Sequence, residues 1–172
     1  MDFTLRRAAA DDAAALALVG GATFLDTFAG ILGGLDIVAH CAANNSEAVF
    51  ARWLADAGSI VLLAEAATRA APIGYAVLTA PDLPIAIELG DVELKRIYTL
   101  SRFHGSGLGK ALMRQALADA GQAGHSRALL GVYGQNARAR AFYERHGFVL
   151  AGERSFRVGA TTHQDVIYAR ML

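Results

Sequence analysis

The sequence has one cysteine, three prolines and no net charge, with sixteen Lys and Arg against sixteen Asp and Glu. The lone Cys41 has no partner for an internal disulfide, and no Cys or His cluster has zinc spacing, so no metal is expected. Cys41 reads as a small buried hydrophobe. Balanced charge argues against a protein that holds nucleic acid or a membrane surface by bulk electrostatics, and neither is expected as a partner. With so few prolines and no low-complexity linker or repeat, nothing marks a domain boundary, and one domain over residues 1–172 is expected. The apolar run around Ile60 to Leu63 is far too short to span a bilayer. Met1 to Asp12 has no apolar stretch of signal-peptide type. The expectation is a soluble, cytoplasmic protein. What the chain does have is apolar residues, 54% of the total, enough for a sizeable core.

The periodicity predicts a short strand over Phe3 to Arg7. An Ala-rich helix follows, with Asp11 and Asp12 as N-caps, and Gly30, Gly33 and Gly34 break it. Further helices are expected over about Leu35 to Ala43 and from Ser46 to about Ala55. Ser59 to Glu65 and Ile73 to Thr79 read as a hairpin. Asp91 to Leu100 reads as a strand after the loop Pro81 to Gly90. A helix from Gly107 to about Gln122 follows, with Leu108, Leu112, Met113, Ala116, Leu117 and Ala120 on one face. Ala128 to Tyr133 is a strand and Asn136 to His146 a helix, closed by Gly147. Phe148 to Val158 and Gln164 to Met171 are two antiparallel strands. The strand–helix–strand–helix order from Asp91 to Arg145, flanked by hairpins, predicts a mixed α/β sheet with helices on both faces.

The segment His104-Gly105-Ser106-Gly107-Leu108-Gly109-Lys110 joins a strand to a helix. Glycines let the chain turn sharply and let a ligand approach the backbone. The helix start offers unpaired N–H groups and a positive dipole end, a site for an anion such as a pyrophosphate. A P-loop fails, because Gly109-Lys110 is followed by Ala111 and His104 stands at the first position. A dinucleotide fingerprint fails at Lys110, where it needs glycine. A tight turn without a ligand remains the plain alternative for this segment alone.

The second motif is Asn136-Ala137-Arg138-Ala139-Arg140-Ala141-Phe142-Tyr143-Glu144-Arg145-His146-Gly147-Phe148. Together with the glycine turn it resembles the GNAT superfamily of N-acetyltransferases, whose loop reads Gln/Arg-x-x-Gly-x-Gly/Ala and whose later helix reads Asn-x-x-Ala-x-x-Phe-Tyr-x-x-x-Gly-Phe. His104 stands where the family has Gln or Arg. The resemblance is strong over about Asp91 to Phe148. The strand Glu93 to Leu100, and less closely Thr23 to Phe28, look like the polyamine acetyltransferase branch.

The resemblance implies a mostly antiparallel sheet of about seven strands, splayed at its two central parallel strands, with acetyl-CoA as cosubstrate. It implies that Ile97, Tyr98 and Thr99 offer backbone groups to the pantetheine arm. Gly105, Ser106, Gly107, Leu108, Gly109 and Lys110 would hold the pyrophosphate, and Asn136 would contact the cofactor near the pantetheine. Asn136 is equally explained as a helix N-cap. A backbone N–H of Thr99 or a neighbour would polarise the thioester carbonyl. Tyr143 matches the position that protonates the departing thiolate, a near-balanced transfer for a phenol of pKa about 10; it also fits a plain core stripe with Ala139, Phe142 and His146. Some members carry a glutamate five residues before the motif Asn, but here that position is Gly131. The base of the histone-acetylating branch lies eleven residues before the Gln/Arg position, which falls on Glu93. Glu93 is otherwise a strand carboxylate paired with Lys95. Arg102, Lys110, Arg138 and Arg140 are candidates for the 3′-phosphate.

The reaction expected is acetyl transfer from acetyl-CoA to a primary amine by direct attack in a ternary complex. Polyamines are the leading acceptor class, because Asp82, Glu88, Asp91 and Glu93 would attract a polycation. A peptide N-terminus or a lysine is the alternative. A non-catalytic acyl-CoA-binding regulator is the alternative of another class, against which Tyr143 and Asn136 stand. The family also admits a homodimer by analogy.

Overall fold

The computed structural model describes residues 2–158 and 161–172. Its elements are β1 (Phe3–Arg7), a 3-10 turn (Ala10–Asp12), α1 (Ala13–Phe28), α2 (Gly34–Asn44), α3 (Glu47–Ala55), β2 (Ile60–Ala66) and β3 (Pro72–Thr79). Then come β4 (Asp91–Thr99), a second 3-10 turn (Ser101–Phe103), α4 (Leu108–Gln122), β5 (Arg127–Tyr133), α5 (Ala137–Arg145), β6 (Val149–Val158) and β7 (Thr161–Met171). The strands form one seven-stranded sheet in the order β1-β2-β3-β4-β5-β7-β6. All neighbours are antiparallel except β4 and β5, which are parallel.

The predicted stripe of α4 is fully used. Leu108, Leu112, Met113, Ala116, Leu117 and Ala120 are buried against Leu62, Ala76, Leu78, Val92, Leu94, Ala128 and Leu130 on one face of the sheet. Each buried leucine contributes roughly 1.5–3 kcal/mol of apolar burial. The opposite face packs Leu16 and Val19 of α1 and Phe50 of α3 on Val61, Leu63, Tyr75 and Val77. Helices therefore cover both faces, as expected for a sheet that is apolar on each side.

A β-bulge decides which β4 side chains meet which face. Val77 pairs with Arg96 but Leu78 pairs with Leu94, so Lys95 is the extra residue. The insertion turns Arg96 and Tyr98 onto the Val77 and Tyr75 face, beneath α1, α2 and α3, while Leu94 and Ile97 stay with the α4 core.

Some local expectations are corrected. Asp12 does not cap α1. Its carboxylate accepts the Ala9 N–H at 2.7 Å and the Arg6 guanidinium at 2.6 and 2.7 Å, which ties the 3-10 turn to β1. Ser46 holds the N-cap position of α3 without a side-chain cap bond. Cys41 is only partly buried, and its sulfur receives the Asn45 side-chain amide at 3.7 Å.

Candidate active site

The parallel β4–β5 ladder is short. Register pairs run from Asp91↔Arg127 to Glu93↔Leu129 and then stop. Beyond them β4 continues along β3 to Thr99, and β5 continues along β7 to Tyr133. The two central strands therefore part. The Leu100 N–H bonds to the Ile73 carbonyl on the β3 side. Since alternate residues of a strand direct their polar groups to opposite edges, Thr99 and Ile97 turn theirs toward the gap. The Thr99 carbonyl meets the His104 side chain, and a linear molecule with amide groups finds the remaining backbone groups of this edge open.

At the end of β4 the chain makes the 3-10 turn, pinned to α1 by the Asp26 carboxylate. That carboxylate accepts the Ser101 N–H at 2.9 Å and the Ser101 hydroxyl at 3.2 Å. The glycine segment follows. Gly105 and Gly107 have φ of +84° and +89°, a conformation that L side chains rarely adopt, and an added Cβ at either would meet nothing within 4 Å. The Ser106 hydroxyl donates to the Phe103 carbonyl at 2.7 Å. The N–H groups of Gly105, Gly107, Gly109 and Lys110 bond to no acceptor among the described residues. Alternating left-handed glycines with free N–H groups at a helix start form a concavity suited to phosphate oxygens. The donor set fits a pyrophosphate.

The last element is α5, where Asn136 is a true N-cap. Its Oδ1 accepts the Ala139 N–H at 3.0 Å, and its side-chain NH2 bonds to no described protein acceptor. Phe142 lies 3.7 Å from where a Cβ on Gly109 would be, so that glycine lets α4 and α5 close together. Tyr143 packs its ring against Phe142, Phe148 and Tyr168 with centroids 5.6, 6.0 and 6.4 Å away. Its hydroxyl finds no described protein partner. Burial pushes the Tyr143 pKa well above the ordinary phenol value, and the Tyr98 phenol adds to the shift. The proton is therefore held at neutral pH. Tyr98 stacks on Tyr75 at 5.9 Å, and burial raises its pKa as well, with Arg96 acting in the opposite sense.

The carboxylates are engaged. Glu93 is 2% exposed. Its Oε2 accepts the Asp82 N–H at 2.8 Å, and Lys95 Nζ lies 3.2 Å from Oε1. Asp91 is held by Arg127 at 2.7 Å, and Glu88 lies 3.1 Å from the same guanidinium. Asp82 is exposed, 3.9 Å from Lys95. The segment expected to attract a polycation thus has its four carboxylates shared between two cations of the chain, Lys95 and Arg127. Gly131 also acquires a reason. An added Cβ there would stand 2.7 Å from Nη2 of Arg154, whose guanidinium lies over the strand paired with Asp165.

Of the candidate phosphate cations, Arg140 is committed elsewhere, donating to the Tyr168 hydroxyl at 3.2 Å and the Gly134 carbonyl at 3.1 Å. Arg102 lies over the Phe103 ring. Arg138 is close enough to His104 to help lower its pKa, after burial, which is the larger cause. Lys110 lines a cavity of about 490 Å³ with Arg114, His146 and Arg170.

Sequence reasoning missed a second group on the other side of β4. Arg96 lies over the Trp53 ring at 5.2 Å and donates to Asn45 Oδ1, with Tyr75, Tyr98 and His40 around it. No local pattern joins residues that far apart in sequence.

The family model for the Acetyltransferase (GNAT) family matches residues 36–148. The chain belongs to the GNAT acetyltransferase family. An uncharacterized N-acetyltransferase of Mycobacterium tuberculosis is 37% identical over 161 residues, spanning 94% of this chain and 98% of that protein. The fold is shared with the PaiA N-acetyltransferase of Thermoplasma acidophilum in complex with coenzyme A, at TM-score 0.78, 20% identity and full coverage of both chains. It is also shared with the GCN5-related N-acetyltransferase of Rhodopseudomonas palustris, at TM-score 0.76 and 20% identity over 100% of this chain and 97% of that one. The seven-stranded mixed sheet with its parting parallel pair is the GNAT architecture. As a GNAT member the chain is an N-acetyltransferase with acetyl-CoA as cosubstrate. Among the described residues no helix is long and apolar enough to cross a membrane.

Proposed function

We propose that this GNAT domain, extending over residues 1–172, acetylates the primary amine of a small molecule by direct attack on acetyl-CoA in the gap between β4 and β5. The observation that carries the reading is the conjunction of parted strands, the free N–H groups of Gly105, Gly107, Gly109 and Lys110, and a Tyr143 hydroxyl without a partner among the described residues. In this reading Gly105, Ser106, Gly107, Leu108, Gly109 and Lys110 hold the pyrophosphate, with Arg138 or Lys110 beside the 3′-phosphate. Backbone groups of Ile97 and Thr99 and the free amide of Asn136 hold the pantetheine arm, whereas the backbone of Tyr98, expected from the sequence to join them, faces β3.

When bound, acetyl-CoA supplies an activated acyl group. The chain's own work is to present a backbone N–H at Thr99 to the carbonyl oxygen and a proton at the Tyr143 hydroxyl to the departing sulfur. Glu93 is the candidate acceptor of the amine proton, relayed through water, since its oxygens already face Lys95 and the Asp82 N–H. Those contacts also support a second role, holding the loop before β4 in place.

Polyamines keep the resemblance of the β4 sequence in their favour, but the acidic segment argues for them less, because Lys95 and Arg127 already occupy its buried carboxylates Glu93 and Asp91. A thiol-release assay with acetyl-CoA and a panel of amines, beside calorimetry with acetyl-CoA and CoA, tests the function. Cofactor binding with thiol release on adding an amine is the expected result. Binding without release from any amine would leave a regulator.

A further inference from the structure

The Arg96 recess concerns the acceptor. It rests on the reading of the β4–β5 gap as the reacting centre, and it concerns what approaches that gap from the side opposite α4. Arg96 is half-buried on β4, two residues from Tyr98 and on the same face. Its neighbours come from four other elements or their junctions: Asn45 after α2, His40 within α2, Trp53 of α3 and Tyr75 of β3. They are aromatic or neutral. No acidic side chain pairs with Arg96 among the described residues, whereas Arg6, Arg7, Arg127, Arg154 and Lys95 each have a carboxylate partner.

A guanidinium withdrawn from water without a counter-charge is costly, and pairing it with one carboxylate is the usual remedy. The aromatic face of Trp53 offsets part of that cost, and hydrogen bonds with Asn45 and the Tyr75 hydroxyl help fix the guanidinium plane. They also leave a planar fork of donors in place, a geometry that matches a carboxylate rather than a second cation. The described residues do not supply the anion. A polycation would meet an unneutralised positive charge at this point.

We infer that Arg96 is the specificity-determining residue of the acceptor site and that the acceptor is a primary amine carrying a carboxylate, of the amino-acid type. The carboxylate pairs with the Arg96 guanidinium beside Asn45 and Trp53, and the amine lies toward Tyr98 and the gap. Arg96 orients the acceptor and takes no part in proton transfer.

The test uses matched ligands on the CoA-loaded protein. Several amino acids are each compared with their carboxamide and their decarboxylated amine, and spermidine is included. Equilibrium binding is measured first, and kcat/KM with acetyl-CoA second. The parent is expected to bind the acids at least about tenfold better than the counterparts that lack the carboxylate, the worth of a charge-assisted hydrogen-bond pair. Arg96→Gln should bring that ratio close to one while acetyl-CoA affinity stays the same, and Arg96→Lys should keep part of it. A parent ratio of one or below overturns the inference. So do tighter binding of spermidine, no binding of any acid, or a ratio that persists in folded Arg96→Gln. If Arg96→Gln does not fold, the parent ratio and Arg96→Lys decide. Absence of thiol release from every amine would instead defeat the acetyl-transfer reading, because the binding ratio is measured without turnover.

Discussion

The two sides of β4 recognise their ligands by different means. Toward α4 and α5 the candidate contacts are mostly main-chain groups: the free N–H groups of Gly105, Gly107, Gly109 and Lys110 and the edge of β4 at Ile97 and Thr99 that faces the gap. Toward α1, α2 and α3 they are side chains, with Arg96 held by Asn45 and Trp53. Main-chain recognition needs only that certain positions lack a side chain, so it leaves a short glycine pattern in the sequence. Side-chain recognition is assembled from distant segments and can differ between acceptors while the fold and the cofactor cradle stay fixed.

The largest effect is expected on the main-chain side. Gly107 has φ +89° and open space around an added Cβ. Gly107→Val would therefore fold, at a cost of about 1–2 kcal/mol for a left-handed L residue. Its branched side chain would stand in the cradle. Acetyl-CoA affinity by calorimetry should fall by about 100-fold or more, roughly two or more strong phosphate hydrogen bonds. Unchanged affinity in a folded protein would place the pyrophosphate elsewhere and remove the contrast between the two sides.

How much was legible follows from the same contrast. The α4 stripe, the N-cap at Asn136 and the turn at Gly147 were readable because each depends on residues within a few positions of one another, and the parallel β4–β5 pair because the strand–helix–strand order calls for it. The β4 bulge was not readable, since Lys95 is extra only relative to β3. Nor was the Asp26–Ser101 clamp, whose partners are 75 residues apart. The four carboxylates from Asp82 to Glu93 looked like an attractive patch because Arg127, which binds Asp91 and Glu88, is distant in sequence, although the Lys95 pairing with Glu93 was readable from their spacing. Asp12 holds the N-cap position of α1, but its carboxylate is taken by Arg6 and the Ala9 N–H instead of capping the helix, a competition that the capping pattern does not show.

Next in size is Tyr143→Phe, which lies where the two sides meet. The ring packing is preserved and only a hydroxyl without a described protein partner is removed. The fold should lose little stability. If the phenol protonates the sulfur, kcat should fall by about 10- to 100-fold. Acetyl-CoA affinity should change by less than about 1 kcal/mol, the net worth of one hydrogen bond. Equal kcat in variant and parent would reduce Tyr143 to core packing.

Glu93→Gln separates the two roles given to that residue. Gln can still accept the Asp82 N–H but cannot pair with the Lys95 charge. Loss of a relayed base should lower kcat/KM by about 10²-fold and remove the acidic limb of its pH profile. A smaller fall with an unaltered profile and a lower Tm assigns Glu93 to holding the loop. The base would then be sought among water and the groups around the acceptor.

The smallest effect concerns His40, which reports on Arg96 from a distance. Its ring stacks on Phe24 at 4.1 Å. Its pKa is lowered to about 4, first by burial and then by the Arg96 charge. In the unfolded chain the same group titrates near 6.5. Above that value it is neutral in both states and contributes nothing to the pH dependence. Between about 6.5 and 4 the unfolded state binds the proton and the folded state does not, so stability falls as pH falls. Half-exposure and screening reduce this loss to on the order of 1 kcal/mol. Urea unfolding at pH 7.5 and 4.5 should therefore show a larger loss in the parent than in His40→Phe, which keeps the stacking and cannot titrate. Equal losses would mean that the ring is free to ionise in the folded state. The same group also reads the Arg96 charge directly. Following the His40 ring by NMR, its titration should move upward in Arg96→Gln, and upward again in the parent when a carboxylate-bearing amine neutralises the guanidinium. The matched decarboxylated amine should leave it where it is. A His40 titration that responds to neither change would show that the guanidinium and the ring are uncoupled, and that the side-chain half of the site is less tightly assembled than its contacts imply.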